Sequence, residues 1–286
     1  MMPDPMDDAV SGVISPEVAL ARMLLGGMDA GCIARALHAA APHPAVAAMH
    51  GVLERRGSAM DALAREVAET AAAHDASGAT PAEGVARIAA FFDRAVRHSP
   101  EASVALYSLG DPAILAAATA EIVAWLEAES LLRQGADVLD LGCGIGRVAA
   151  ALAPRCRSVL GLDVSAGMVA EAVQRMAPWP NVTVRQTAGQ DLDMLEPASL
   201  DLVLAIDSFP YIVQTGPATA LRHVEGAARA LRAGGALCIL NLSYRGDPAA
   251  DQADVAGWAA ATGMRVTYGG DQPFQVWDGT AFVLLR

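Results

Sequence analysis

The chain has 286 residues, of which 53% are hydrophobic and 5% aromatic, and its formal net charge is −12. This length suits one large domain or two small ones, and the hydrophobic share is enough for a sizeable core. Proteins that follow a nucleic-acid backbone carry a basic face, and the 20 basic residues here form no dense cluster. The composition therefore argues against nucleic acid, without excluding it, and favours a small-molecule substrate.

The cysteines and the uncharged stretches argue against a metal site and a membrane span. Four cysteines lie far apart with no C-x-x-C pair, so a cysteine zinc site is not expected. The longest uncharged stretch, Ala36 to Leu53, contains three histidines and two prolines, which is unlike a membrane helix. No secretory signal precedes the first helix, so we expect a cytoplasmic protein.

The first hundred residues carry only helical patterns. Residues 1 to about 15 are expected to form a frayed tail. Helices are predicted over about 15–25, 29–40, 45–56, 58–74 and 81–97, with a loop at 76–81. We expect residues 1–100 to be a helical cap, a lid or a homodimerisation region. The remaining residues, 101–286, are expected to form the second domain.

After a predicted helix over 112–132, a glycine-rich loop joins a short strand to a helix. Val138, Leu139 and Leu141 form an apolar run of strand type, and three glycines follow at alternate positions. Glycine has no Cβ, so backbone N–H groups of such a loop can approach a ligand closely. The helix from Arg147 points its positive end at that ligand, which suits a carboxylate or a phosphate.

The spacing of these glycines separates two kinds of nucleotide site. In the dinucleotide fingerprint G-x-G-x-x-G the third glycine comes one residue later, and Arg147 occupies that position here. With Asp140 two residues before the first glycine, the segment instead resembles motif I of the class I S-adenosylmethionine (SAM)-dependent methyltransferases. Over about residues 130–286 this resemblance implies an α/β, Rossmann-like doubly wound fold with a mostly parallel seven-stranded sheet and an antiparallel last strand. It implies that SAM is held by Asp140, Gly142, Cys143, Gly144 and Gly146.

Two later segments extend the predicted cofactor site. The next predicted strand ends in Asp163, where an acid bonds the ribose hydroxyls in βαβ nucleotide sites, and Val164 follows it. Asp163 can alternatively cap the next helix, but Ser165 can do so itself, which favours the ribose role. After a third strand, Gln190 or Asp191 matches the family position that bonds the adenine amino group; a capped loop is the alternative.

The predicted acceptor side lies after the fourth and fifth strands. The fourth strand ends in Asp207-Ser208-Phe209-Pro210-Tyr211, at the edge where ligands gather in open α/β sheets. This segment faintly resembles the Asp/Asn-Pro-Pro-aromatic motif of amino-methyltransferases, but Ser208-Phe209 replaces the first proline and the spacing is one residue longer. Asn241 and Tyr244 follow the fifth strand, on the same side. A terminal hairpin is expected over 264–285.

Three residues are the candidates for catalysis. Asp207 can act as a base, Tyr211 can touch the acceptor, and Tyr107 matches the aromatic that covers the methionine end of SAM in many relatives. Ordinary packing is the alternative for each aromatic, and His223 is expected on the surface. The predicted substrate-binding residues are Tyr107, Phe209, Tyr211, Asn241 and Tyr244.

The resemblance favours in-line methyl transfer to a small-molecule acceptor, because methyl transfer is the commoner chemistry of this fold. One alternative is attack on the aminocarboxypropyl arm of SAM with release of methylthioadenosine, as in the azetidine-2-carboxylate synthases. Others are a non-catalytic subunit with a relic pocket and a macromolecular substrate.

Overall fold

A computed structural model of the protein describes residues 4–70, 80–277 and 279–286. The described chain divides into a helical unit and an α/β unit. The helical unit contains the helices up to Thr70, the segment Ala95–Glu121 and residues 274–277. The α/β unit contains residues 80–94, Ile122–Pro273 and Gly279–Arg286. The role of the helical region as a cap, a lid or a dimerisation element stays a prediction.

Several of the first seven helices begin at a polar side chain that caps their N-terminus. Ser15 accepts a hydrogen bond from the Val18 N–H at 3.3 Å, and Asp29 accepts one from the Cys32 N–H at 2.7 Å; both satisfy N–H groups that a helix start leaves without partners. The helices are α1 Pro5–Val10, α2 Pro16–Leu25, α3 Ala30–Ala39, α4 Pro44–Thr70, α5 Pro81–His98, α6 Pro100–Val104 and α7 Pro112–Ala128.

The structure corrects two predictions in this region. The residues expected to form a frayed tail contain helix α1. This helix begins after Asp4, and the Asp4 carboxylate caps it by accepting a hydrogen bond from the Met6 N–H. The separate helices predicted over 45–56 and 58–74 are one helix, α4, which continues through Gly57. A single helical glycine costs only about 1 kcal/mol, so it does not break a helix of this length. The predicted end of that helix beyond residue 70 and the loop at 76–79 lie outside the described residues.

The α/β unit is built on one seven-stranded sheet, which confirms the predicted fold class. Its strand order is β3-β2-β1-β4-β5-β7-β6. The first five strands run parallel, and β7 is antiparallel to both β5 and β6. The strands are β1 Asp137–Leu141, β2 Ser158–Asp163, β3 Val182–Gln186, β4 Leu200–Ile206, β5 Leu231–Leu240, β6 Arg265–Asp271 and β7 Ala281–Leu285.

Burial of the central strands explains their continuous apolar sequences. Every residue of β1 is buried, and so are six of the seven residues of β4, all but Asp201. Strands that are covered by helices on both faces favour unbroken runs of Val, Leu and Ile. The covering helices of this unit are α8 Arg147–Leu152, α9 Ala166–Met176, α10 Phe209–Gln214, α11 Pro217–Ala230 and α12 Pro248–Thr262.

The direction in which the sheet grows changes between β1 and β4. The chain adds β2 and then β3 on one side of β1, and returns to add β4 on the other side. Such a switch point leaves a crevice at the carboxyl ends of the strands, where ligands bind in open α/β sheets.

An ion-pair network closes the opposite, amino end of the strands. The Asp137 carboxylate accepts hydrogen bonds from Arg157 and Arg232, and Arg232 also donates to Asp201 at 2.7 Å. The Asp201 carboxylate accepts in turn from the Asp137 N–H at 2.8 Å. The hydrogen bond from Arg157 is the main cause that holds the pKa of Asp137 well below its usual value. The network therefore links the first residue of β1 to β4 and β5.

We expect Asp137→Asn to lower the free energy of unfolding by about 1–3 kcal/mol at pH 7, because it removes charge-assisted hydrogen bonds. Since the folded pKa is depressed, this contribution is fully present above about pH 4, near the unfolded pKa, and is lost progressively as the pH falls from there towards the folded pKa. Urea titration at pH 7 and at pH 3 measures both effects. Asp193→Asn, in the exposed pair with Arg229, is the control and should change little. An equal loss in both variants would contradict the assignment.

Candidate active site

The glycine loop is fastened to the neighbouring strand by its own backbone. Gly142, Gly144 and Gly146 have φ values of +74°, +53° and +79°, which side chains with a Cβ rarely adopt. In this conformation the N–H groups of Gly142 and Cys143 donate to the Leu162 carbonyl at 2.7 and 3.0 Å. The loop thus connects the carboxyl ends of β1 and β2, at the predicted place.

The segment after β4 lies directly against this loop. A Cβ on Gly142 would stand 2.2 Å from the Ser208 Cβ, so only glycine fits there. The Ser208 hydroxyl donates to the Leu141 carbonyl at 2.5 Å. The structure therefore brings the predicted cofactor loop and the predicted acceptor segment into contact.

Asp163 joins the glycine loop to the start of α9. One carboxylate oxygen accepts from the Gly144 N–H and the other from the Ser165 N–H, both at 2.9 Å. The hydroxyl of Ser165 caps α9 by accepting from the Met168 N–H at 3.0 Å. Burial raises the pKa of Asp163, although these N–H groups oppose the rise. The cap is thus supplied by Ser165, and the ribose role of Asp163 stays a prediction.

Asp140 is a buried acid beside the same loop. Burial raises the pKa of Asp140 to about 7; the charge of Asp163 adds to the rise, and Arg147 opposes it. Among the residues that the structure describes, its Oδ2 atom has no hydrogen-bond partner. A buried polar atom without a partner needs a reason, and a ligand that presents a donor or a cation would supply one.

The predicted adenine segment lies next to the loop after β2. A Cβ on Gly189 would stand 2.5 Å from a methyl carbon of Val164 and 3.0 Å from one of Val85. Asp191 is half-buried and accepts from the Asp193 N–H at 3.1 Å, whereas Gln190 is exposed. The choice between Gln190 and Asp191 stays a prediction.

Helix α5 contributes two residues that the sequence patterns did not indicate. Oδ1 of Asp93 accepts from the Ser165 hydroxyl at 2.6 Å and from the Gly167 N–H at 2.8 Å, at the start of α9. The ring of Phe92 packs edge-on against Tyr211, with 5.1 Å between centroids. These contacts join residues more than 70 positions apart, so no local signal could have revealed them.

A carboxylate and two aromatic rings meet at the ends of β4 and β5. Oδ1 of Asp207 accepts from the Asn241 amide at 2.6 Å and from the Tyr244 hydroxyl at 3.3 Å. The rings of Tyr244 and Tyr211 are 5.8 Å apart and nearly perpendicular. Burial, together with the charge of Asp207, raises the pKa of Tyr211. The structure therefore brings together four of the predicted acceptor-side residues.

The remaining candidate residues have the following surroundings. Phe209 is 1% exposed and packs in the core, 5.5 Å from the Trp258 ring. Tyr107 belongs to the helical unit, where its ring lies 6.3 Å from that of Trp277. Cys143 is buried, and burial raises the pKa of its thiol.

The surface position predicted for His223 is wrong. The side chain is 2% exposed, and its Nδ1 lies 2.8 Å from the Thr219 carbonyl oxygen. Burial lowers the pKa of this imidazole. The polar ring can face the core because its own helix supplies the hydrogen bond.

The described residues offer no metal centre and no membrane helix. Among them, no group of three or more His, Cys, Asp or Glu side chains is arranged to hold a metal ion. None of the described helices combines the length and apolar character that crossing a membrane requires.

We expect Gly142→Ala to abolish ligand binding at the loop, because the new methyl group would overlap Ser208. The double variant Gly142→Ala/Ser208→Gly removes that overlap and should regain part of the affinity. The φ strain, of order 1 kcal/mol, would remain. Calorimetric titration with SAM measures the effect. Gly257→Ala, where a Cβ meets nothing within 4 Å, is the control. Unchanged affinity in Gly142→Ala would contradict this account of the loop.

We expect Asp140→Asn to stabilise the ligand-free protein at alkaline pH. A folded pKa of about 7 exceeds the unfolded value near 3.9, so ionised Asp140 costs stability increasingly from about pH 4 to pH 7. The variant should gain up to about 4 kcal/mol over the wild type at pH 8.5, and little at pH 4.5. Urea titrations at both pH values measure the gain. Glu196→Gln, at an exposed site, is the control, and a gain independent of pH would refute the assignment.

Comparison with known proteins finds a family match within the α/β unit. Residues 138–235 match a family model described as a methyltransferase domain. The chain is 38% identical over 111 residues to the ribosomal RNA large subunit methyltransferase G of Streptomyces avermitilis, which covers 38% of this chain and 29% of that protein. It is 32% identical over 124 residues to the chondramide synthase cmdD of Chondromyces crocatus, covering 41% of this chain and 3% of that protein.

A solved structure with a similar arrangement is magnesium protoporphyrin IX methyltransferase from Synechocystis PCC 6803 with bound SAM. Sequence identity is 22% and the TM-score is 0.44, over 61% of this chain and 80% of that one. This chain covers only part of the two sequence relatives named above: it spans less than a third of the length of the ribosomal RNA methyltransferase and of the chondramide synthase.

Proposed function

We propose that the protein transfers a methyl group from SAM to a small-molecule acceptor, starting from the match of residues 138–235 to a family model described as a methyltransferase domain. SAM supplies, when bound, an electrophilic methyl carbon on a positively charged sulfur. The chain's own residues have to hold the acceptor in line with that carbon, since positioning can provide much of the rate.

The observation that carries this proposal is the orphaned carboxylate oxygen of Asp140 beside the glycine loop. A buried acid with a raised pKa beside a glycine loop at the carboxyl ends of the strands is a functional-site candidate on physical grounds. Asp140, the loop from Gly142 to Gly146, and Asp163 with Val164 would hold SAM. Gln190 or Asp191 would bond the adenine.

The acceptor belongs on the side of Asp207 and Tyr211, because Ser208 between them lies against Gly142. Asn241 and Tyr244 would complete that side, with Asp207 as the base where the acceptor loses a proton. Tyr107 and Phe209 remain weaker candidates for the acceptor site.

A small acceptor is favoured over RNA by the net charge of −12, since phosphate backbones require basic partners. One relative is a ribosomal RNA methyltransferase, but it shares only 29% of its length with this chain. An RNA acceptor is therefore the alternative that the experiment below has to exclude. We also propose a cytoplasmic location and a homodimer, and both are compatible with either acceptor.

A second function, attack on the aminocarboxypropyl arm of SAM with release of methylthioadenosine, is favoured by one observation. Asp93 fixes α5 to the start of α9, and Phe92 brings its ring against Tyr211. A helix held over the site would exclude water from a reaction that needs no separate acceptor. A relic pocket without catalysis is the remaining alternative.

Incubation of the pure protein with SAM alone, followed by mass spectrometry, tests these functions. For methyl transfer we expect SAM to be bound and left intact until an acceptor is added, when S-adenosylhomocysteine forms. Methylthioadenosine above the no-enzyme control would overturn methyl transfer and support the second function. Absence of binding would support a relic pocket. Total RNA and a small-molecule extract, added separately, distinguish the acceptor classes.

Asp163→Asn is the matched variant for this experiment. The variant keeps the size of the side chain but removes the charged carboxylate, which we propose accepts hydrogen bonds from the ribose hydroxyls of SAM. The free energy of SAM binding should therefore weaken by about 1–3 kcal/mol. Asp193→Asn is the control, and circular dichroism checks that both variants are folded. Equal SAM affinity in Asp163→Asn and the wild type would disprove the ribose assignment.

A further inference from the structure

We infer that the acceptor is a cationic amine, bound by a cluster of Asp207, Asn241, Phe92, Tyr211 and Tyr244. We call this group the aromatic–carboxylate cluster. The inference rests on the proposed function and narrows its substrate class. It is drawn from the contacts among these five side chains.

The cluster combines one carboxylate with three aromatic rings. Tyr211 lies edge-on to Phe92 at 5.1 Å and to Tyr244 at 5.8 Å, with interplanar angles of 84° and 82°. Phe92 and Tyr244 thus both pack against Tyr211, and the Tyr244 hydroxyl donates to the Asp207 carboxylate. Aromatic faces attract ammonium groups, and grouped aromatic side chains are known to recognise substituted amines.

The cluster is open to a ligand. The Tyr244 side chain is 54% exposed, and Phe92, Asp207 and Tyr211 are half-buried. A carboxylate in such partly desolvated surroundings attracts a cation more strongly than one in bulk water. A neutral acceptor would gain less from this arrangement, and the Asp207 carboxylate would repel an anionic one.

Asn241 is the positioning residue of the cluster. Its amide donates to Oδ1 of Asp207 at 2.6 Å, and its carbonyl oxygen accepts from the Thr280 N–H at 2.9 Å. Both Asp207 and Asn241 have left-handed backbones, with φ values of +55° and +64°. Such conformations persist only where the surroundings enforce them, and they concentrate at functional sites. The Asp207 carboxylate is thereby held at the end of β4, in the segment that contacts the glycine loop.

The transfer step balances with these groups. The lone pair of the deprotonated acceptor nitrogen forms the new N–C bond, while the C–S bond breaks and its electron pair stays on sulfur. The proton that the ammonium group gives up before this attack passes to the Asp207 carboxylate and from there to water. No other reactant is required.

Binding of a matched pair of probes tests the inference without turnover. Choline carries a quaternary ammonium, and 3,3-dimethyl-1-butanol is its neutral isostere. We expect calorimetric titration of the full-length protein to give at least about tenfold tighter binding of choline, as cation–π and carboxylate contacts together imply. Equal affinity for the two probes would overturn the inference.

Variants of the cluster test which residues cause the preference for choline over its neutral isostere. Asp207→Asn should reduce the ratio of the two affinities several-fold, leaving only the part that the aromatic rings supply. Asn241→Gly, which tolerates a positive φ, should reduce it several-fold by releasing the carboxylate. A merely structural role of Asn241 would weaken both probes equally and leave the ratio unchanged. Glu196→Gln is the control, and an undiminished ratio in Asp207→Asn would refute the site.

Two further arms separate this inference from the proposed function. Saturating S-adenosylhomocysteine should leave choline binding intact; its loss would mean that the cluster serves the sulfonium of SAM and would overturn the amine assignment. Methyl transfer to a phenol, a thiol or a carboxylic acid, with no transfer to amines, would also overturn it. In that case the proposed function itself would stand.

Discussion

The contact between the glycine loop and the neighbouring strand ends is the constraint on which the site depends. Because no Cβ stands at Gly142, Ser208 can approach the loop, and the loop can donate to the Leu162 carbonyl. Three strand ends, from β1, β2 and β4, are thereby held within one hydrogen-bonded arrangement. Asp140, Asp163 and Asp207 stand at or just beyond these three strand ends, and hydrogen bonds to the Asp163 and Asp207 carboxylates then orient those two side chains.

This arrangement trades stability for binding. Asp140 and Asp163 are both buried, and burial raises the pKa of each, so the empty site is electrostatically unfavourable at neutral pH. Buried charges of like sign are costly unless a counter-charge or donors reach them. A ligand that brings a cation and hydroxyl groups would relieve part of that cost. The disfavoured charge is thus a source of affinity for a ligand of suitable chemistry.

The sheet and the glycine loop could be predicted because their signals are local. Apolar runs of strand length, glycine spacing and an acid at a strand end lie within a few residues of one another, and the seven-stranded sheet with its antiparallel last strand followed from the family resemblance. The continuity of α4 and the burial of His223 were missed, since both depend on packing that overrides local preference. Phe92 and Asp93 were missed for a different reason: their partners are Tyr211 and Ser165, and nothing in a helical pattern indicates a partner so distant in sequence.

The position of β7 has a consequence for the order in which the molecule can be completed during synthesis. β7 follows β6 in the chain but lies between β5 and β6 in the sheet. When only the residues up to β6 have emerged from the ribosome, β5 and β6 both lack their neighbour β7. Unpaired strands of this kind favour aggregation. Thr280, whose N–H donates to the Asn241 side chain, also emerges only after β6. The nascent chain can thus close its glycine loop well before it can orient Asp207.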